Sequence, residues 1–343
     1  MRLHLASSLA LLAAAGRQDA PPAAPPPRDP RVAAIARILE EEESNGMCGA
    51  FLLRRGNEVL LHRAYGLADK EAGRPMTVDT GFCIGSIVKP MTLAALLKLE
   101  EQGRLSLDDV MDLHFDDVPD DKKMITLRQI VLHRAGLPDL LGGDYDLIGR
   151  DALRDKVLAS KLVCPPGTQE RYSNCGYSLL AMVIEEISGT PFEDFVREEI
   201  LLPAGVDRIG YVLAGWKKED LAVCYERDGR RWGTPLDHAW LADGPSWNLR
   251  GNGGMLGTVA QLCQWYEALL DGKVLGAAAL KRFLELDGGP RFAHAGGNGI
   301  LNALQVCDVE ADLHLTLFTS HAAHKAEQVY RRLSDEVAAL ARR

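Results

Sequence analysis

The strand signals of this chain lie at its two ends, with helical patterns between them, and no other feature limits its fold as strongly. Cys48 to Leu61 reads as two strands broken by the turn Arg55-Gly56-Asn57. From Arg291 onward ILNALQV and DVEADLHLTLFTS return to strand patterns, the latter with Leu313, Leu315 and Leu317 in alternation. The stretch between, roughly Leu105 to Asp287, carries helical patterns divided by glycine and proline turns: ITLRQIVLHRAGLP, YSLLAMVIEEISG, TPFEDFVREEILLPAG and TVAQLCQWYEALLDG. A first helix is expected over Arg31 to Glu43 and a last one over VYRRLSDEVAALARR. This order suggests an α+β chain with one sheet assembled from both termini, from about 31–104 and 288–343, and a mostly helical insertion over about 105–287.

The first thirty residues stand apart from that fold. Arg2, the apolar run Leu5 to Ala15 and small residues near Ala15 and Gly16 read as a signal peptide over 1–15, too short to span a bilayer. Residues 16–30, RQDAPPAAPPPRDP within them, form a proline- and alanine-rich spacer. The expected location is therefore secreted or periplasmic, and the chain is not expected to be an integral membrane protein. The 343 residues carry a formal net charge of −9, which excludes the basic stripe that nucleic acid or an anionic membrane would need. The seven cysteines, at 48, 83, 164, 175, 224, 263 and 307, are an odd number. Cys164 and Cys175 are near enough in sequence to pair, and burial as small hydrophobes serves the cysteines equally well.

The chemistry begins at FCIGSIVKPMT, where Ser86 precedes Lys89 by three residues. If a helix starts at Ser86, the two side chains share a face, and the hydroxyl sits near free N–H groups at the positive end of the helix dipole. Pro90 in a first turn removes little, and Gly103 is the expected C-cap. A hydroxyl needs a base to become a nucleophile, and lysine serves as one only when desolvation lowers its pKa. Two further tripeptides matter: Tyr172-Ser173-Asn174, between a turn and a helix, and His294-Ala295-Gly296, just before a strand.

SIVK, YSN and HAG, in that order, resemble the S-x-x-K, Y-x-N and K/H-x-G motifs of the serine β-lactamase and penicillin-binding superfamily, in its class C and esterase-like branch. The surrounding text, from IGSIVKPMT and EEQGRLSLDD to GNGGMLGTVAQLCQWYEALLDGKVL, carries the likeness from about residue 31 to the last helix. The resemblance implies a β-lactamase/transpeptidase-like fold and an acyl-enzyme hydrolase acting on a small ester, amide or peptide, those derived from the cell wall included, without metal or cofactor. Residue by residue it implies Ser86 as the nucleophile, Lys89 as the group that deprotonates it and Tyr172 as the proton carrier, either as phenolate or through a relay. Asn174 would hold the substrate amide and orient Lys89. His294, Gly296 and Gly297 would border the substrate, with the N–H groups of Ser86 and Gly297 as the oxyanion hole.

His294 stands where many members have lysine, so a fixed positive charge for a substrate carboxylate is missing or pH-dependent, which favours an esterase or peptidase over a dedicated β-lactamase. A different class of function is a non-catalytic exported module that binds peptidoglycan or a partner; a penicillin-binding protein that acylates without turnover lies between the two. Among smaller signals, GNGGMLG over Gly251 to Gly257 reads as a tight turn near the cleft rather than a dinucleotide loop. His321 and His324 read as surface histidines near the end of the chain rather than a metal site. Trp240, Trp247 and Tyr225 suit a cleft wall or ordinary packing, and EEEE at 40–43 reads as a solvated helix face.

Overall fold

The computed structural model describes residues 27–342, so the expected signal peptide and most of the spacer lie outside the described residues. Helix α1 (Pro30–Ser44) opens on a proline at its first position, and the Asp29 side chain accepts from Arg31 N at 2.8 Å. The hairpin β1 (Gly49–Arg55) and β2 (Glu58–Tyr65) follows, turning at Gly56 with φ +49°. The strands β3 (Arg291–Gly297), β4 (Asn302–Asp308) and β5 (Leu313–Thr319) return at the other end of the chain. All five form one antiparallel sheet in the order β2-β1-β5-β4-β3, with Gly49 opposite Thr319 and Thr319 opposite Asn302.

The sheet is covered on both faces, and residue alternation decides which side chain meets which cover. Phe51 and Leu53 of β1 and Leu313, Leu315 and Leu317 of β5 pack against Val32, Ile35 and Leu39 of α1 and Val329 and Leu333 of the last helix, α9 (Ala326–Ala341). The glutamates at 40–43 are more than a solvated face. Glu40 pairs with Arg63 at 3.0 Å, Glu41 and Glu42 both hold Arg332 of α9, and Glu43 accepts from Gly66 N at 2.7 Å.

The opposite face, with Ala50, Leu52, Ala303 and Phe318, joins the main core. Seven helices lie between the two chain ends among the described residues: α2 (Val88–Glu101), α3 (Leu127–Val131), α4 (Arg150–Ala159), α5 (Asn174–Ser188), α6 (Phe192–Val196), α7 (Val259–Leu270) and α8 (Ala277–Leu286). Helix α2 is buried along nearly its whole length, from Val88 through Leu97 and at Leu99, and it is apolar around almost its full circumference, as a central helix must be. It ends as expected at Gly103, φ +68°, where Gly103 N donates to Glu100 O and Arg104 N to Leu99 O.

Four expectations need correction. The α-helix begins at Val88, and Ser86 sits in a preceding 3-10 turn, Gly85–Ile87, in which its side chain caps nothing. His294-Ala295-Gly296 lies inside β3, not before a strand, because the strand has to run alongside the Gly85–Ser86 turn. The middle of the chain is less helical than expected. Residues 205–257 are largely irregular, with short strand pairs such as Cys224–Tyr225 with Arg231–Gly233, while α4, too charged to stand out as an apolar pattern, was not expected. His321 is buried rather than at the surface, its Nδ1 accepting from Ala323 N, and His324 lies beside Glu42.

All seven cysteines are buried and unpaired, Cys164 and Cys175 included. Among the described residues no helix is long and apolar enough to cross a membrane.

Candidate active site

Helices α2 and α5 pack side by side in the main core, and their N-terminal ends bring two distant segments together. Helix α5 starts where the Ser173 hydroxyl accepts from Gly176 N at 2.9 Å. That cap leaves Tyr172 just outside the helix and Asn174 at its first position. Ser86 Oγ is 2.6 Å from Tyr172 Oη and accepts from Lys89 Nζ at 3.1 Å. Lys89 Nζ also donates to Asn174 Oδ1 at 2.7 Å and to the backbone carbonyl of Asn252 at 2.7 Å. The ammonium thus has three acceptors, which fill its donor capacity.

Lys89 is only 5% exposed. Burial lowers its pKa from the usual 10.5 to about 7, against the charges of Asp139 and Asp144, which raise it. Although Tyr172 is 45% exposed as a residue, its hydroxyl contacts Ser86 and its ring lies beside the Lys89 ammonium. Burial pushes its pKa upward, opposed by the Ser86 hydrogen bond and assisted by the Asp139 charge. Burial thus brings the lysine toward its neutral form near neutral pH, while the tyrosine is an intact phenol. His133 packs on Tyr172 with ring centroids 4.5 Å apart, and its Nδ1 accepts from Ser173 N. Burial, then the Lys89 charge, lowers its pKa to about 4, so the ring against Tyr172 is neutral.

Asp139 accepts from both the Asn174 side-chain amide, at 2.8 Å, and its backbone N–H, at 3.1 Å, and so fixes which way the amide oxygen faces. The Gly251-to-Gly257 loop passes beneath. Thr92 Oγ1 donates to Gly251 O at 2.6 Å, Tyr211 Oη to Gly253 O at 2.9 Å, and Asn252 Nδ2 to Ser178 Oγ at 2.9 Å, which aims the Asn252 carbonyl at Lys89.

Across Ser86, β3 meets the Gly85–Ser86 turn with no space for side chains. A Cβ on Gly296 would lie 2.1 Å from Ile84 O and 2.9 Å from Ser86 N; one on Gly85, φ +53°, would lie 2.3 Å from Gly297 N. Only glycine permits this approach. The cleft beside it has a volume of about 250 Å³ and is lined by Ser86, Asn174 and Gly297 together with Leu140, Asp144 and Tyr145.

Of the residues singled out in the sequence, the structure brings Ser86, Lys89, Tyr172 and Asn174 into one hydrogen-bonded cluster, with Gly296 and Gly297 alongside. His294 stands outside it: Nδ1 lies 2.6 Å from Tyr266 Oη and Nε2 3.1 Å from the buried Asp287 carboxylate. Among the described residues no hydrogen bond joins His294 to the cluster. Trp247 and Tyr225 are buried in packing, Tyr225 with its hydroxyl on Glu71, and neither lines the cleft, whereas Tyr145 does. Asp139, the Asn252 carbonyl, His133, Asp144 and Tyr145 were not singled out. A backbone carbonyl has no residue-type signature, and Asp139 and Asp144, in LPDLLGGDYD, read as loop residues.

The family model described as Beta-lactamase matches residues 33–304, most of the chain and all of the cluster. The chain belongs to this family. It is 28% identical over 229 residues to the penicillin-binding protein PbpX of Bacillus subtilis, covering 67% of this chain and 56% of that protein. It is 31% identical over 199 residues to esterase EstB of Burkholderia gladioli, covering 52% and 50% respectively. The chain thus spans about half the length of these relatives. In structure it is similar to D-amino acid amidase from Ochrobactrum anthropi SV3, with a TM-score of 0.76 and 22% identity, covering 91% of this chain and 99% of that one. That likeness places the α+β architecture in the β-lactamase/transpeptidase-like fold.

Proposed function

We propose that the protein is a serine hydrolase that works through an acyl-enzyme on a small ester or amide. The observation that carries this is the position of Ser86 Oγ between Tyr172 Oη at 2.6 Å and Lys89 Nζ at 3.1 Å, with the lysine pKa brought near neutrality. Neutral Lys89 takes the serine proton as Oγ bonds to the substrate carbonyl carbon. The carbonyl oxygen gathers charge before the N–H groups of Ser86 and Gly297. When the bond to the leaving group breaks, Tyr172 hands that group a proton and Lys89 resupplies the phenol. A water molecule then repeats the sequence on the acyl-enzyme and frees Ser86. The raised Tyr172 pKa favours this relay over a standing phenolate. Asn174 and the Asn252 carbonyl keep Lys89 within reach of Ser86, and Asp139 positions Asn174.

A cleft of about 250 Å³ suits a small acyl group. Export belongs to the same proposal and rests on Arg2 and the apolar run Leu5–Ala15, to be checked by sequencing the N-terminus of the mature protein.

Intact-mass spectrometry after exposure to a fluorophosphonate, and separately to a penicillin, tests the proposal. The expected result is a fluorophosphonate adduct on the wild type and none on Ser86→Ala. A penicillin adduct that persists points to acylation without turnover, and one that clears points to hydrolysis. A folded protein that takes neither reagent sinks the proposal and leaves a binding module.

A further inference from the structure

The cleft holds a charge that the acyl-transfer chemistry does not use. Among the described residues Asp144 is the only charged side chain on the cleft lining, and no lysine or arginine joins it there. Its carboxylate has neither a hydrogen bond nor an ion pair with the described residues, although the residue is half-buried. Burial raises its pKa, as does the Asp139 charge; the buried Lys89 lowers it. The other carboxylates whose pKa burial raises are matched: Asp287 has His294, Glu193 accepts from Tyr211, Val212 and Leu213 N, and Glu267 has Arg54.

The next residue, Tyr145, also lines the cleft. Its ring stacks on His238 with centroids 4.4 Å apart, and Trp232 packs on the same histidine at 4.1 Å, so the aromatic surface is braced from behind. A carboxylate without a partner beside a fixed aromatic face is the pairing that holds an ammonium group, one part through charge and the other through the ring's negative face. The same wall repels a carboxylate. The other position where a substrate carboxylate would look for a cation, His294, is turned to Tyr266 and Asp287.

We propose that Asp144, with Tyr145 beside it, is the specificity-determining residue of the cleft and selects esters or amides that carry a positively charged amine. This rests on the serine-hydrolase reading above and names its substrate class. Leu140, Leu249 and Leu301 line the rest of the cleft and receive the apolar part of such a substrate.

The test compares methyl esters that differ only at one tip, ammonium, methyl or carboxylate, at several short acyl lengths, together with the corresponding amine-bearing alcohol esters, followed by proton release. The wild type is expected to show kcat/KM at least about tenfold higher for the ammonium ester than for the neutral one, and lowest for the carboxylate. In Asp144→Asn the ammonium-to-neutral ratio is expected to fall to near one, and in Asp144→Lys the carboxylate ester is expected to overtake the ammonium ester. A purely structural role, or one exerted only through the Lys89 pKa, lowers all esters alike and leaves the ratio in place; that result overturns the inference, as does a wild-type ratio of one. If the wild type turns over none of the esters and takes no fluorophosphonate, the hydrolase reading itself falls. Labelling without the preference removes only this inference.

Discussion

The two walls of the cleft are built from different materials. On the Ser86 side, backbone lies against backbone: the Gly85–Ser86 turn and Gly296 and Gly297 of β3 come together at distances that leave no space for a Cβ on Gly85 or Gly296. On the other side, Leu140, Asp144 and Tyr145 reach the cleft through side chains of the loop between α3 and α4, the first exposed and the other two half-buried. The first wall holds the groups every substrate of an acyl transfer needs, and close packing keeps them in place. The second can change residue by residue without moving the first. On the proposed reading, the chemistry rests on the close-packed wall, and selectivity would rest on the loop, where substitution is cheap.

The largest blow to that division is expected from Lys89→Met, which keeps the helix and removes the base. Its kcat should fall by about 10³ to 10⁴ on a neutral ester. The same variant reports on the cost of the buried lysine. The wild-type Lys89 pKa is about 7 folded and near 10.5 unfolded, so between these pH values the unfolded chain binds the extra proton, and stability rises with pH across that window. The full rise amounts to at most about 5 kcal/mol, by the free-energy equivalent of a pKa unit. Chemical denaturation from pH 6 to 10 should show the slope in the wild type and its loss in Lys89→Met. An identical slope in both would mean that Lys89 is not desolvated.

A second change strikes the backbone wall itself. Gly296→Ala places a methyl group against Ile84 O and Ser86 N, so steady-state kinetics should show kcat reduced about 10² to 10³, the range for a lost oxyanion donor, with a lowered thermal midpoint. A fully active Gly296→Ala would show that the close approach is packing only.

The smallest effect sharpens the picture. Asp139→Asn weakens the hold on Asn174 and removes the carboxylate that most raises the Lys89 pKa. Activity at optimum is expected to drop about tenfold. The acid limb of kcat/KM, near pH 7 in the wild type, should move to lower pH, because the lysine then loses its proton more easily. A shift toward higher pH would contradict the electrostatic account.

How much of this could be read in the sequence follows from where the information lies. Ser86 and Lys89 are three residues apart, and local spacing alone joins them. Tyr172 and Asn174 come to them through the packing of α2 on α5, so only the resemblance of the motifs linked them beforehand. The sheet was legible because its strands carry apolar alternation, but β3 was hidden: RFAHAGG has two glycines and two alanines where a strand signal needs bulk. The irregular stretch 205–257 follows no period and is held by particular hydrogen bonds such as Glu193 to Tyr211 N and Trp216 Nε1 to Arg208 O. His294 shows the limit of motif matching, since the pattern gives its place in the chain and the structure shows its nitrogens given to Tyr266 and Asp287.

The pairing of β1 with β5 also sets the order of events in the life of the chain. Gly49 waits for Thr319 to close the middle of the sheet, and Ser86 waits for Gly296 and Gly297. Closing so long a loop is slow, and a chain delivered from its N-terminus carries its serine long before the strand that completes the site. Until residues 291–319 arrive, Ser86 can have Lys89, Tyr172 and Asn174 beside it but not Gly296 and Gly297, so on the proposed mechanism the oxyanion side is the last part of the site to form and a nascent chain is inactive.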